Sequence, residues 1–264
     1  MRYSREELEK QKQERIGETN ISNEGCEMKI VEYNKYSDIW VEFQDEHKAR
    51  VHSSYKEFKI KNIKNPYYPS VCNIGYVGDG KYKKKEYQLI YTTWRNMIYR
   101  CYDPYELNRH QTYIDCYVCD EWLNFQNFAE WWEENYYNCN NEMMCLDKDI
   151  LYKKNNLYSP ETCIIVPERI NKLFIKQQRK RGKYPIGVQD CYDKRCDYKY
   201  LSVRLSVGEM KYLGNFPLNR PFQAFYTYKI YKENYIKQVA DEYKDLIPKE
   251  LYEAMWSYEV EIND

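Results

Sequence analysis

Asp147-Lys148-Asp149 sets a lysine between two carboxylates inside the phrase Leu146 to Leu151. A side chain that takes a proton from water must be unprotonated near neutral pH. Histidine, ordinarily near 6.5, meets that condition; lysine, near 10.4, would have to fall by roughly 3.4 units, costing about 4.6 kcal/mol. Burial can depress a lysine, but neighbouring carboxylates favour the ammonium, so Asp147 and Asp149 push Lys148 away from the role of a base. The chain has three histidines, His47, His52 and His110, all outside this segment, and His110 could reach it only through tertiary folding.

The wider phrase runs through Asn155-Asn156, Tyr158-Ser159-Pro160-Glu161-Thr162-Cys163 and Val166-Pro167-Glu168-Arg169-Ile170-Asn171. It resembles a family of phage-encoded proteins usually described as HNH endonucleases. The resemblance implies two short strands and a helix around one divalent metal, with Asp147 at the metal-binding position, Asn171 as the closing residue and Lys148 where the general-base histidine stands. Magnesium suits hard oxygen ligands of this kind. With a lysine at that position no catalytic residue is assigned, and Lys148 could instead neutralise phosphate charge. The plainer alternative makes Asp147, Lys148 and Asp149 a solvated charge cluster at a strand end, with Asn171 pairing locally.

The 264 residues are 43% hydrophobic, enough for two or three small domains. Lysine plus arginine equals aspartate plus glutamate, 41 each, so any DNA footprint must be a local patch. The 31 tyrosines suit strands and interfaces, and Lys, Asn, Tyr and Ile are also encoded by AT-rich codons. No run of about 18 apolar residues exists and the N-terminus is charged, so the expectation is a protein neither exported nor membrane-spanning. Ten cysteines read as reduced thiols. Cys116-x-x-Cys119 has no second pair at that spacing, so structural zinc is not expected.

Composition divides the chain into four parts, and the fold class expected is α+β. Residues 1–24 are almost all polar, a charged tail or an arm that orders on a partner. Residues 25–86 form a small β-rich module: Lys29 to Tyr33 and Ile39 to Phe43 alternate as strands around a turn at Asn34 to Asp38, and Ser54 to Phe58 makes a helical turn. Residues 87–176 carry two amphipathic helices, marked by Leu89, Trp94, Met97, Ile98 and Cys101 and by Trp122, Phe125, Phe128, Ala129 and Trp132. The ββα unit follows, with strands Met144 to Leu151 and Thr162 to Val166 and a helix from Glu168.

The strongest basic run, Lys176, Arg179, Lys180, Arg181 and Lys183, spans the junction into residues 177–264 and is either a phosphate-tracking strip or a solvated linker. Ile186 to Val188, Tyr200 to Leu205 and Met210 to Phe216 are strands, followed by a helix from Pro221 to about Tyr243. This part resembles the ethylene-response-factor type of DNA-binding domain, a three-stranded sheet packed on one helix. The resemblance implies a sheet lying in the major groove, with Arg204 and Lys211 directed at DNA and Tyr198, Tyr200 and Tyr212 as neighbouring contacts. Asp190 to Asp193 departs from it by putting acid on the expected contact face.

The primary expectation is a phage-type protein binding double-stranded DNA in the cytoplasm of an infected bacterial host, related to HNH homing endonucleases, with cleavage weak or lost. A competing expectation is a counter-defence protein that inhibits a host immune protein, for example a CRISPR effector, by direct contact; neutral charge and abundant tyrosine suit it. An active metal nuclease using Lys148 or His110 ranks third.

Overall fold

Alternating burial organises the first sheet. In a computed structural model, which describes residues 5–175, 183–207 and 209–262, Met28, Ile30 and Tyr33 point inward from one strand and Ile39, Val41 and Phe43 from the next. The protein contains helices and several small sheets, the α+β class expected. The chain forms two units: one runs through Glu134 and takes in Leu157–Ser159, and the other comprises Asn135–Asn156 and the chain from Pro160 onward.

The first unit opens with α1 (Arg5–Arg15) and the antiparallel strands β1 (Thr19–Ile21), β2 (Glu27–Lys35), β3 (Asp38–Phe43) and β4 (Arg50–Ser53), paired in that order. The helix α2 (Tyr55–Lys59) follows, its first turn capped by Ser54, whose hydroxyl accepts from the Glu57 N–H. Phe58 and Ile63 close the apolar core.

The segment expected as a tail is ordered into this unit. Arg15 donates to the Tyr33 hydroxyl and lies 4.1 Å from the Tyr55 ring centre, while Glu18 accepts from Lys59 at 2.9 Å and from Tyr55 at 3.0 Å. Its charges find partners on residues far along the chain, which local composition cannot register.

The helices α3 (Gln88–Tyr102) and α5 (Phe125–Asn135) bury the expected stripes, with the short α4 (Pro104–Arg109) and strand β5 (Tyr117–Val118) between them, except that Trp122 lies on a separate 3-10 turn (Asp120–Leu123) ahead of α5. The Trp94 indole N–H donates to the Trp122 carbonyl at 2.7 Å, so the two aromatic stripes are joined polar atom to polar atom. Leu89 departs from the expected stripe: it is exposed, and Ile90 fills the core in its place.

In the second unit β6 (Met144–Asp147) precedes β7 (Leu157–Tyr158), which pairs with β5 and belongs to the first unit. β6 pairs antiparallel with β8 (Ile164–Pro167), and α6 (Glu168–Phe174) packs on both through Ile170 and Leu173. This is the ββα order expected, with shorter strands. β6 stops at Asp147 because its side chain takes over the backbone N–H groups that a strand would pair.

A three-stranded antiparallel sheet follows, with β10 (Tyr198–Val207) between β9 (Val188–Asp193) and β11 (Glu209–Pro217), covered by α7 (Pro221–Tyr243). Leu201, Val203 and Leu205 meet Ala224, Phe225 and Tyr228 in its core. The first strand starts at Val188 instead of Ile186, because Gly187 sits at φ +77° and turns the chain. A final helix, α8 (Lys249–Trp256), was not expected from the sequence; it buries Leu251 and Met255.

Candidate functional site

At the end of β6, one carboxylate oxygen of Asp147 accepts the backbone N–H groups of Asp149 and Ile150, each at 2.8 Å. Burial raises the pKa of this carboxyl above its ordinary value, against the pull of those two donors. The next side chain turns inward: Lys148 is 7% exposed. Its Nζ lies 2.9 and 3.0 Å from the two Asp149 carboxylate oxygens and donates to the Asn155 carbonyl. Asn155 reciprocates by donating its amide to the Lys148 carbonyl at 3.0 Å.

Lys148 and Asn155 therefore clasp the loop between β6 and β7. A nitrogen donating to a carboxylate and a carbonyl is an ammonium with no lone pair to offer water, so this arrangement works against a base at 148.

Asn171 is half-buried on α6, within the same ββα unit as Asp147. Together they would offer a carboxylate and an amide oxygen, a thin donor set for a cation that takes six oxygen ligands. Among the described residues no group of three or more His, Cys, Asp or Glu side chains could hold a metal ion, and this includes the surroundings of Cys116 and Cys119. His110 is exposed at the end of α4, 3.8 Å from Glu106.

The second cluster lies on the face of the C-terminal sheet turned away from α7. Residues directly opposite in an antiparallel pair share a face. Leu201, Val203 and Leu205 face the helix, so Tyr198, Tyr200, Ser202 and Arg204 lie on the opposite face, where Ser202 is itself buried. Across from them stand Asn215 opposite Ser202 and Tyr212 opposite Arg204.

A bulge decides the rest. The register jumps from Val203 opposite Gly214 to Arg204 opposite Tyr212, skipping Leu213 and reversing the alternation beyond it. Lys211 consequently stands opposite Leu205 on the helix side, with its Nζ 5.4 Å from the Tyr231 ring centre. The expected pairing of Arg204 with Lys211 on one DNA-facing strip is thus corrected: Tyr212 takes the outward place.

The acidic segment also divides. Asp190 stands opposite Leu201 on the helix side, whereas Asp193 stands opposite Tyr198 on the outer face. There the Arg195 side chain holds the Asp193 carboxyl below its ordinary pKa. Tyr198 and Tyr200 stack at 6.1 Å, and Arg204 Nε lies 3.3 Å from the Ser202 hydroxyl. Of the basic run, Lys183 is exposed beside the Tyr184 ring, while Lys176, Arg179, Lys180 and Arg181 lie outside the described residues.

One feature of the first unit escaped the sequence reading. A cleft of about 710 Å³ is lined by Tyr91, Arg95 and Tyr99 of α3 together with Lys64, Lys83 and Lys84. The signal was present: positions 91, 95 and 99 recur every four residues, the polar stripe complementary to the buried one.

Set against protein-family models, curated proteins and solved structures, the chain matches none.

Proposed function

We propose that the chain is a phage-type DNA-binding protein related to HNH homing endonucleases, with cleavage weak or lost. The observation that carries this reading is Lys148, held as an ammonium by Asp149 and Asn155 at the position where the resembled family has its base. The outward sheet face supports the binding half, since Arg204 projects from it beside Ser202 and opposite Tyr212, and Arg reads guanine or phosphate with its planar fork.

A gel-shift titration of duplex DNA over a salt series tests it. Wild type should weaken log-linearly with salt, and Arg204→Ala should lose about tenfold in affinity, within the 1–3 kcal/mol of one base contact. No shift at low salt sinks the reading.

A second reading, inhibition of a host defence protein by direct contact, is favoured by one observation. The outer face exposes Met210, Tyr198 and Tyr212, apolar and aromatic groups typical of protein interfaces. Under that reading a single stoichiometric protein is retained from a host lysate and Arg204→Ala leaves duplex mobility unaltered. Among the described residues no helix is long and apolar enough to cross a membrane.

A further inference from the structure

The cleft of the first unit has the chemistry of a polyanion site. Its floor is the polar stripe of α3, where Arg95 lies between Tyr91 and Tyr99. Arg95 Nε is buried and meets no acceptor among the described residues. A buried donor left without an acceptor is costly, on the order of 1–3 kcal/mol, and native structures rarely tolerate it. An acceptor brought by a ligand would relieve it.

Charge points the same way. Lys64, Lys83 and Lys84 also line the cleft, and neither they nor Arg95 meet a carboxylate among the described residues. Arg50, on another wall, is already paired with Glu42 at 3.0 Å. Two acids line the cleft: Glu24, which accepts the Asn65 N–H at 3.0 Å, and Asp79. Four cations with no carboxylate partner among the described residues therefore face two acids, in a chain whose net charge is zero.

Aromatic rings supply the second half of the chemistry. Trp40, 36% exposed, stands on the sheet side, and Tyr91 and Tyr99 stand on the helix side, the latter with the Arg95 guanidinium 5.6 Å from its ring centre. Cations interleaved with rings that can stack on flat bases are what a single strand of nucleic acid requires, whatever its sequence. A duplex hides its bases from such rings, and a phosphopeptide has no use for a row of them.

We infer that this cleft binds single-stranded nucleic acid, with Arg95, Lys83, Lys84 and Lys64 on phosphates and Trp40 or Tyr99 against a base. The inference does not rest on the DNA reading of the C-terminal sheet, which concerns other residues and a duplex. A free nucleotide shares the same phosphate-and-base chemistry, and competition separates the two sources.

The test is fluorescence anisotropy of the full chain with a labelled oligothymidine of about 12 nucleotides. With four phosphate-neutralising cations the log–log salt slope should be about −2.8, at about 0.7 per contact for a single strand. Arg95→Gln should weaken binding at least about tenfold, a loss of about 1.4 kcal/mol. Lys83→Gln with Lys84→Gln, both at exposed positions that leave folding intact, should cut the slope by about 1.4. Arg204→Ala should leave single-strand binding unchanged even where it abolishes a duplex shift, so the two readings fail separately. Absence of binding at low salt, or wild-type affinity and slope in both cleft variants, overturns the inference. Displacement by thymidine monophosphate at concentrations equal to the unlabelled oligonucleotide overturns the strand in favour of a free nucleotide.

Discussion

The Lys148 ammonium lies 2.9 Å from one carboxylate oxygen of its neighbour Asp149 and 3.0 Å from the other. Side chain and backbone together make this lysine the clasp of a loop, since it also holds the Asn155 carbonyl. Replacing it by alanine leaves that carbonyl without its charged donor. We expect Lys148→Ala to cost about 1–3 kcal/mol in a urea unfolding curve, the lower end being set by the half-exposed Asp149. Plasmid nicking with magnesium should be no greater in wild type than in the variant. Cleavage that disappears with this substitution would falsify the clasp as the role of Lys148.

Asp147 allows a paired test. Asp147→Ala removes the acceptor of two backbone N–H groups and should destabilise by about 1–3 kcal/mol. Asp147→Asn keeps an acceptor oxygen and has no charge to bury. Because burial raises the folded pKa of this carboxyl, the folded state binds its proton more readily than the unfolded one, and its contribution to stability grows as pH falls through the folded value. The advantage of Asp147→Asn over wild type should therefore be greatest at neutral pH and shrink under acid. If magnesium raises the melting temperature of wild type but not of this variant, Asp147 is a metal ligand after all.

Lys232 presents the reverse sign. It is buried on α7 beside Tyr228, Ile186 and Val260, and desolvation lowers its pKa from 10.5 to about 8. The unfolded chain holds this proton up to the ordinary value, so stability rises with pH from about 8 to 10.5. The difference corresponds to about 3 kcal/mol. Lys232→Met should be more stable than wild type at pH 7 by up to that amount, and should lose this part of the pH dependence. Equal unfolding midpoints at pH 7 and pH 10 for both proteins would contradict it.

Gly187 ties the start of the C-terminal sheet to its helix. A Cβ at this position would lie 2.0 Å from the Tyr228 ring, and φ is +77°. Gly187→Ala must displace that ring or the turn, so it should cost at least about 2 kcal/mol from backbone strain and overpacking together. A near-neutral unfolding midpoint would show that Tyr228 has room to move.

Lys211 and Arg204 should separate in DNA binding, although they lie on adjacent strands. Lys211 stands on the helix side of the sheet, so Lys211→Ala should change duplex affinity by less than about threefold and leave the salt slope unaltered. An effect as large as that of Arg204→Ala would mean that the helix side is the contact face.

Periodicity made much of this fold readable in the chain. Trp94, Met97, Ile98 and Cys101 mark one helix and Phe125, Phe128, Ala129 and Trp132 another, because one face of each is apolar. The first hairpin was readable from Ile30 and Val41 pointing inward with polar neighbours between. Leu89 was misread because it lies one residue from the true stripe, at the helix start where a turn of periodicity has yet to build. Residues 5–21 were misread for a different reason. Arg15 and Glu18 are held by Tyr33, Tyr55 and Lys59, and a low local hydrophobicity cannot announce partners so far along the chain.

By itself, the order of residues determined the α+β class, the strand alternation, the amphipathic helices and the odd placement of a lysine between two acids. Only the tertiary structure decided which of the charges are spent. Lys148 is neutralised by Asp149 and tied to Asn155, Lys211 is turned to the helix by a skipped residue at Leu213, and Arg95 lines a cleft with no carboxylate paired to it among the described residues. The reason is physical: periodicity is a property of neighbours along the chain, whereas burial and charge compensation are set by whatever groups folding brings within a few ångströms.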